Sequence, residues 1–581
     1  MESLTPEVIG AARPFRNPGN RAAGGSNRSS RVAPVPARFL PRPPGGSPEN
    51  PSLTRGAVLR FNSPPMRLPS ALLVPVAALA FLATGRDRLH ADVSLHGLFT
   101  DHAVLQQGRP VPVWGRADDG EEVTVEFAGQ RVSTVARNGR WLVHLRPLKA
   151  SAEGRSLRVQ GRTAVVVSDV VVGEVWICSG QSNMEWPLSA SHEPAADIAA
   201  SANPNLRLFT VVKRRSPVPQ TELDHASHAW GAASPEAVRR FSAVGYYFGR
   251  DLQPALGVPV GLIHTSWGGS PAEVWMSRDT LEDDHLHARD ILEPYVPSLK
   301  AHEAAMSKWR AAKAAAEAKG EKFTQGSPWA PWRPSELYNG MLRPLMPYAI
   351  AGAIWYQGES NAGRAWQYRS LFADMIRNWR GDWGQGDFPF LAVQLAPWDK
   401  NRKRSIADIT ARPVESDWAE LREAQNHVAA TLPRVGVAVI TDVGDKDDIH
   451  PTRKAPVGAR LALLARTIAY GQAVESSGPT FASMGRSGST LVLNFNHARG
   501  LKTSDGAAPT GFSVAGKDGV WHRASATEIS GSSVRLGSPQ VSHPLHVRYG
   551  WDDFPVVNLV NAQGLPASPF RTDRFRGLTE P

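Results

Sequence analysis

The feature that most limits how this chain can fold is a series of short, almost unbroken apolar runs between residues 171 and 470. Val170-Val171-Val172, Val175-Trp176-Ile177-Cys178, Val258–Thr265, Ala349–Tyr356, Phe390–Gln394 and Val435–Asp442 show little alternation of apolar with polar residues. A strand packed on one face alternates, whereas a strand covered on both faces does not. Helical patterns lie between the runs, for example Tyr368–Arg380 and Pro456–Tyr470. Buried strands alternating with helices predict an α/β architecture, a parallel sheet flanked by helices.

The flanking segments differ. Residues 92–170 hold short alternating strands such as Val123-Thr124-Val125-Glu126-Phe127 and Trp141-Leu142-Val143-His144-Leu145, separated by Asp118-Asp119-Gly120 and Asn138-Gly139 turns. That pattern predicts a small β-sandwich-like domain. Short strands return after residue 471, as in Leu491–Phe495 and Thr510–Val514, and predict a second β domain over 471–581. The α/β domain then occupies 171–470. A helical insertion is expected at about 277–330, where Ala301–Lys322 is rich in Ala, Lys and Glu and reads as an exposed helix.

The formal charge of +11 invites a nucleic-acid partner until it is located. Residues 1–65 hold nine arginines, three glutamates and 12 prolines, with no hydrophobic period. They read as a disordered or mis-annotated extension unable to form a core. Met66-Arg67 opens an apolar run from Leu68 to Ala83, followed by Leu89-His90-Ala91, which reads as a secretory signal over 66–91. The run is too short and too proline-interrupted for a stable membrane span. Most of the positive charge lies in these two segments, so the remainder is near neutral and nucleic acid is not expected as a partner. An exported protein, periplasmic or extracellular, is expected instead. One cysteine, Cys178, excludes an intramolecular disulfide framework and is expected to be buried packing.

Four segments after predicted parallel strands carry chemistry. Gly180-Gln181-Ser182-Asn183-Met184 places a serine where a strand enters a helix, at the sheet edge where α/β folds seat ligands. Met184 departs from the Gly-x-Ser-x-Gly nucleophile elbow. Asp447-Asp448-Ile449-His450-Pro451 offers a histidine to take the serine proton and an acid to orient the imidazole. Ser266-Trp267-Gly268-Gly269-Ser270 would let a backbone amide approach a reacting oxygen. Trp355-Tyr356-Gln357-Gly358-Glu359-Ser360-Asn361 brings amides and a carboxylate to the same edge. Trp186, Trp267 and Trp355 sit beside these loops and suit a glycan-lined cleft.

Together these blocks resemble the sialate O-acetylesterase-like branch of the SGNH hydrolases, a family of carbohydrate esterases. Tyr338-Asn339-Gly340-Met341, Gly564-Leu565-Pro566 and Pro569-Phe570-Arg571-Thr572-Asp573 are similar to further family blocks, so the resemblance spans about residues 92–575. It implies a serine esterase that removes O-acetyl groups from sugars through an acetyl-serine, with no metal or organic cofactor. By that resemblance Ser182 is the nucleophile, His450 the general base and acid, and Asp447 its orienting acid. The Gly269 amide and the Asn361 side chain join the Ser182 amide as the oxyanion hole. Asp448 and Glu359 are rival acids, and Gln357 is a rival oxyanion donor. The implied partner is an acetylated sugar, sialic acid or alternatively a xylan or xyloglucan. A catalytically dead glycan-binding protein is the non-enzymatic alternative. The oligomeric state is not legible in the sequence.

Overall fold

The computed structural model describes residues 92–223, 229–400 and 402–581. The expected extension 1–65 and signal segment 66–91 lie outside the described residues. After two short strands, Ser94–Leu95 and Val104–Gln106, come the antiparallel strands β1 (Val111–Arg116), β2 (Glu122–Phe127), β3 (Gln130–Val135), β4 (Trp141–Leu145) and β5 (Ser151–Gln160). β1 pairs with β4, while β2 pairs with both β3 and β5.

The next strand, β6 (Ala164–Gly180), is 17 residues long and serves two parts of the molecule. Its first half pairs antiparallel with β5. Its second half becomes a central strand of a parallel sheet. The boundary expected at 170/171 therefore falls inside one continuous strand. The sheet runs β7 (Asn203–Thr210), β8 (Val260–Ser266), β6, β9 (Gly352–Tyr356), β10 (Phe390–Val393) and β11 (Val435–Ala438), all parallel, with a short antiparallel strand, Gly231–Ala233, on its β7 edge. The architecture is mixed α/β, with one large mixed sheet.

The continuous apolar runs have the expected cause. In β6, Val175 and Ile177 enter one core, while Trp176 and Cys178 enter the other. The first core also takes Tyr368, Phe372, Ile376 and Trp379 of α4 (Ala365–Trp383) and Leu421 of α5 (Asp417–Thr431). Those α4 positions recur every three or four residues, which puts them on one helix face. The helix stops at Gly384, whose φ of 65° is a left-handed cap. The second core holds Val244 and Phe248 of α2 (Ala243–Leu256) and Leu461 of α6 (Ala455–Ile468). Two other helices matter here, α1 (Ser182–Glu185) and α3 (Tyr295–Ala318). α3 contains no buried residue, as its composition predicts.

After α6 come two four-stranded antiparallel sheets, joined by one core that includes Leu493, Phe495, Val514, Leu536 and Val547. Fully buried Arg422 of α5 fastens this region to the α/β part. It donates to the carbonyl of Leu395 at 2.9 Å and to those of Asp552 and Asp553 at 2.7 Å each.

Register decides where the loops emerge. Gly180 is paired with Ser266 on β8 and with Tyr356 on β9. The three segments that follow these strands therefore leave the sheet side by side. Gly180 has φ 141°, and a Cβ there would lie 2.1 Å from the Tyr356 carbonyl oxygen. We expect Gly180→Ala to lower the melting temperature sharply or abolish soluble expression, because backbone cannot yield as a side chain can. Gly326→Ala, where a Cβ meets nothing within 4 Å, is the control. Equal melting temperatures in thermal denaturation would show that the close approach does not constrain the fold.

Candidate active site

Ser182 is the first residue of α1, two positions past the end of β6. The Gln181 amide donates to the Tyr356 carbonyl at 3.0 Å, and the Trp267 amide donates to the Gly180 carbonyl at 3.1 Å. These bonds tie the serine turn to the ends of both neighbouring strands. As the first residue of a helix, Ser182 has an amide with no intrahelical acceptor.

His450 reaches Ser182 from the loop before α6. Its Nε2 lies 2.9 Å from Ser182 Oγ, within hydrogen-bond reach. The imidazole stacks on Trp186, with ring centroids 5.3 Å apart and planes 18° apart. Trp186 is itself held by its indole N–H donating to the Ala190 carbonyl at 2.8 Å. The loop is shaped by Asp445, which accepts from the amides of Asp447 at 2.9 Å and Asp448 at 3.1 Å.

Of the two adjacent acids the sequence offers, Asp448 stands nearer the His450 ring than the expected Asp447. Asp448 Oδ1 accepts from the His450 amide at 2.8 Å and stands 3.6 Å from Nδ1, an ion-pair distance. The Asp447 side chain is 74% exposed and paired with Lys446. Both aspartates are exposed, and the turn made by Asp445 brings only the second alongside the imidazole. Burial lowers the His450 pKa below the ordinary imidazole value, with Asp448 opposing the shift and Lys454 adding to it.

The other expected donors are placed unequally. Gly269 has φ 75°, and its amide has no hydrogen-bond partner among the described residues. Gly268 approaches Ser182 closely, since a Cβ there would lie 3.4 Å from Ser182 Cβ. The Gly268 amide is already used, donating to Glu185 Oε2 at 2.7 Å. Asn361 is also committed elsewhere. Its Nδ2 donates to Glu273 at 2.9 Å, and its Oδ1 accepts from the Ala272 amide at 2.9 Å and from Gln357 at 2.7 Å. Buried polar groups must be paired, and Glu273, a buried carboxylate, supplies the demand that draws Asn361 in. Gln357 is buried in the same network, with its Oε1 accepting from Tyr368 at 2.8 Å. Gln357 Nε2 is spent within this network, whereas Asn361 Nδ2 gives one of its two hydrogens to Glu273.

Glu359 does not contact His450. Its Oε1 accepts from Asn183 Nδ2 at 2.5 Å. Cys178 is fully buried, and burial pushes its thiol pKa far up, as expected of packing. Trp355 is also fully buried, so it belongs to the core and cannot face a ligand.

Ser182 and His450 open on a cleft of about 690 Å³ lined also by Trp186, Lys213, Arg240 and His264. Lys213 pairs with Glu185 at 2.5 Å. Arg215 stacks on Trp332 at 4.0 Å, and Trp332 meets Trp267 edge to face at 5.7 Å. Sequence reasoning missed Asn183, Glu185 and Lys454. The first two stand in or beside the quoted serine block, and Lys454 follows His450 by four residues, but only contact reveals their roles.

A serine hydroxyl in reach of a histidine at the C-terminal edge of a parallel sheet, with free amides alongside, equips a protein for acyl transfer. The chain is a carboxylic ester hydrolase. Residues 318–466 match the family model "Carbohydrate esterase, sialic acid-specific acetylesterase". The structure is similar to that of a carbohydrate acetylesterase from Xanthomonas citri, with 38% identity, a TM-score of 0.70, and coverage of 83% of this chain and 100% of that one. Sialate O-acetylesterase from Mus musculus is 29% identical over 436 residues, covering 68% of this chain and 78% of the relative. The Homo sapiens enzyme is 29% identical over 389 residues, covering 62% and 68%. This chain belongs to the carbohydrate acetylesterases and is similar to the sialate O-acetylesterases among them.

The lowered His450 pKa keeps the base neutral at lower pH. The acid limb of kcat/KM for an aryl acetate should therefore lie below about pH 6.5, the ordinary imidazole value. Asp448→Asn should shift it lower still, because the carboxylate favours the imidazolium. Asp447→Asn should leave both limb and rate near wild type. A larger rate loss in Asp447→Asn than in Asp448→Asn would reverse the assignment.

Proposed function

We propose that this protein removes O-acetyl groups from carbohydrates through an acetyl-serine intermediate, with Ser182 as nucleophile and His450 as general base and acid. The 2.9 Å approach of His450 Nε2 to Ser182 Oγ is the observation that carries this reading. Ser182 Oγ attacks the acetyl carbonyl carbon as its proton passes to His450 Nε2. The oxyanion that forms is held by the amides of Ser182 and Gly269. As the C–O bond to the sugar breaks, His450 returns the proton to the departing sugar oxygen. Water then attacks the acetyl-serine, giving its proton to His450. Acetate leaves, and the proton returns to Ser182 Oγ. Asp448 takes the orienting role in place of Asp447, and Glu359 is not assigned it.

The relatives that carry a substrate in their names are sialate O-acetylesterases, and a carboxylated sugar suits the cleft. Lys213 and Arg240 line it, with Glu185 balancing Lys213. A neutral acetylated plant glycan is the second reading, favoured by the aromatic face of Trp186 over the same cleft. We read the flanking β segments as sandwich-like domains and the enzyme as exported, with residues 66–91 as its leader. Sequencing the amino terminus of the secreted protein would check the leader.

Ser182→Ala should lower kcat on an aryl acetate by several orders of magnitude, with far-ultraviolet circular dichroism unchanged. Near-wild-type turnover would sink the assignment. Acetate release from O-acetylated sialic acid and from acetylated xyloglucan, measured side by side, separates the two substrate readings.

A further inference from the structure

Beneath Ser182 and His450 lies a chain of buried polar groups that the proposed reaction does not use. Asn183 is fully buried and every polar group of its side chain is engaged. Its Nδ2 donates to Glu359 Oε1 at 2.5 Å and to the Ile449 carbonyl at 3.0 Å. Its Oδ1 accepts from Lys454 Nζ at 2.5 Å. Asn183 follows the nucleophile and Ile449 precedes the base, so one side chain fixes the neighbours of both.

We propose that Lys454 is a positioning residue of the Ser182–His450 pair, holding the two loops together through Asn183 against the counter-charge of Glu359. The inference rests on the esterase reading above. Lys454 is 1% exposed at the start of α6, an unusual place for an ammonium. Its Nζ also lies 5.3 Å from the centre of the Tyr356 ring and 5.9 Å from that of Trp186, the ring on which His450 stacks. It therefore reaches the base by two routes, through Asn183 to Ile449 and through Trp186. Glu359 Oε2 is buried with no hydrogen-bond partner among the described residues. Its charge has the Lys454 ammonium as its compensation, relayed by the polarised Asn183 amide. An apolar residue at 454 would leave Asn183 Oδ1 without a donor and Glu359 as a lone buried acid.

Lys454 also acts on His450 by charge. The groups facing His450 are the Ser182 hydroxyl, Asp448, the Trp186 ring and Lys454. Asp448 favours the imidazolium and Lys454 disfavours it. Burial pushes Lys454 down to about 7, with Glu359 and Asp448 opposing, while burial pushes Glu359 up.

The test is the pH profile of kcat/KM on an aryl acetate. Lys454→Met should reduce kcat/KM about a hundredfold through misplacement of the pair. It should also move the acid limb to higher pH by about half a unit or more, since a positive charge near His450 is lost. Lys454→Arg keeps the charge and should keep the limb at its wild-type position. Glu359→Gln should move the limb to lower pH, and the Lys454→Met/Glu359→Gln double variant should bring it back. If Lys454→Met does not fold, the Glu359→Gln and Lys454→Arg limbs decide the matter by themselves. Limbs unmoved in every variant, with or without a rate loss, overturn the proposal, because packing alone lowers rate without moving the limb. Ser182→Ala measured alongside separates the two readings. Activity surviving there removes the esterase reading and this one with it. Loss of activity there, with unmoved limbs in the Lys454 and Glu359 variants, overturns this one alone.

Discussion

The site depends on backbone pairing at the C-terminal end of β6. Gly180 sits between Ser266 and Tyr356 in register, and the β6 and β9 backbones come too close there for a Cβ. Buried N–H and C=O groups need partners, so a parallel sheet covered on both faces cannot slip its register without leaving several unpaired. That rigidity is passed to the loops. The serine turn, the Gly268–Gly269 turn and the Gly358–Asn361 segment start from three adjacent strands whose relative heights are fixed. A hydroxyl, free amides and a histidine can then be held within hydrogen-bond reach, which acyl transfer requires.

Polar groups beneath the site are satisfied in two separate networks, and the separation matters for function. Glu273, Asn361, Gln357 and Tyr368 pair among themselves on the α4 side of the sheet. Lys454, Asn183 and Glu359 pair under the serine turn. The first network locks the segment after β9 to the turn after β8 and takes up side-chain amides that would otherwise be free donors. The second places a buried lysine and a glutamate with a buried carboxylate oxygen beneath the serine turn. Asp448 is 57% exposed and stands beyond hydrogen-bond distance from Nδ1, so solvent screens much of its influence on His450.

Much of the fold was legible because its cause is local. The period-free runs of β6, β8, β9, β10 and β11 mark strands that feed alternate side chains into two cores, as Val175 and Trp176 do. The Ala- and Lys-rich stretch within Tyr295–Ala318 is an exposed helix for reasons of composition alone. The boundary at residue 170 was less legible. The change in pattern there marks a change from one-sided to two-sided cover along a single strand, not a break in the chain. The tryptophans divide in the same way. Trp186 and Trp355 both flank motif residues, but only the strand register shows that Trp355 is enclosed between α4 and β10.

By itself the sequence determined five of the six parallel strands, all but β7, together with the order of the loops at the sheet edge and the pairing of a serine with a histidine from a distant loop. Those follow from hydrophobic pattern and from the chemistry of a few residue types. Only the tertiary structure sets the rest: Asp448 nearer the imidazole than Asp447, Asn361 bound to Glu273, and Lys454 bound to Asn183. Adjacent aspartates are equivalent in a sequence, and a lysine four residues past a histidine looks like any surface lysine. Which carboxylate stands beside the imidazole, and which ammonium loses its water, depends on groups brought together from residues far apart in the chain.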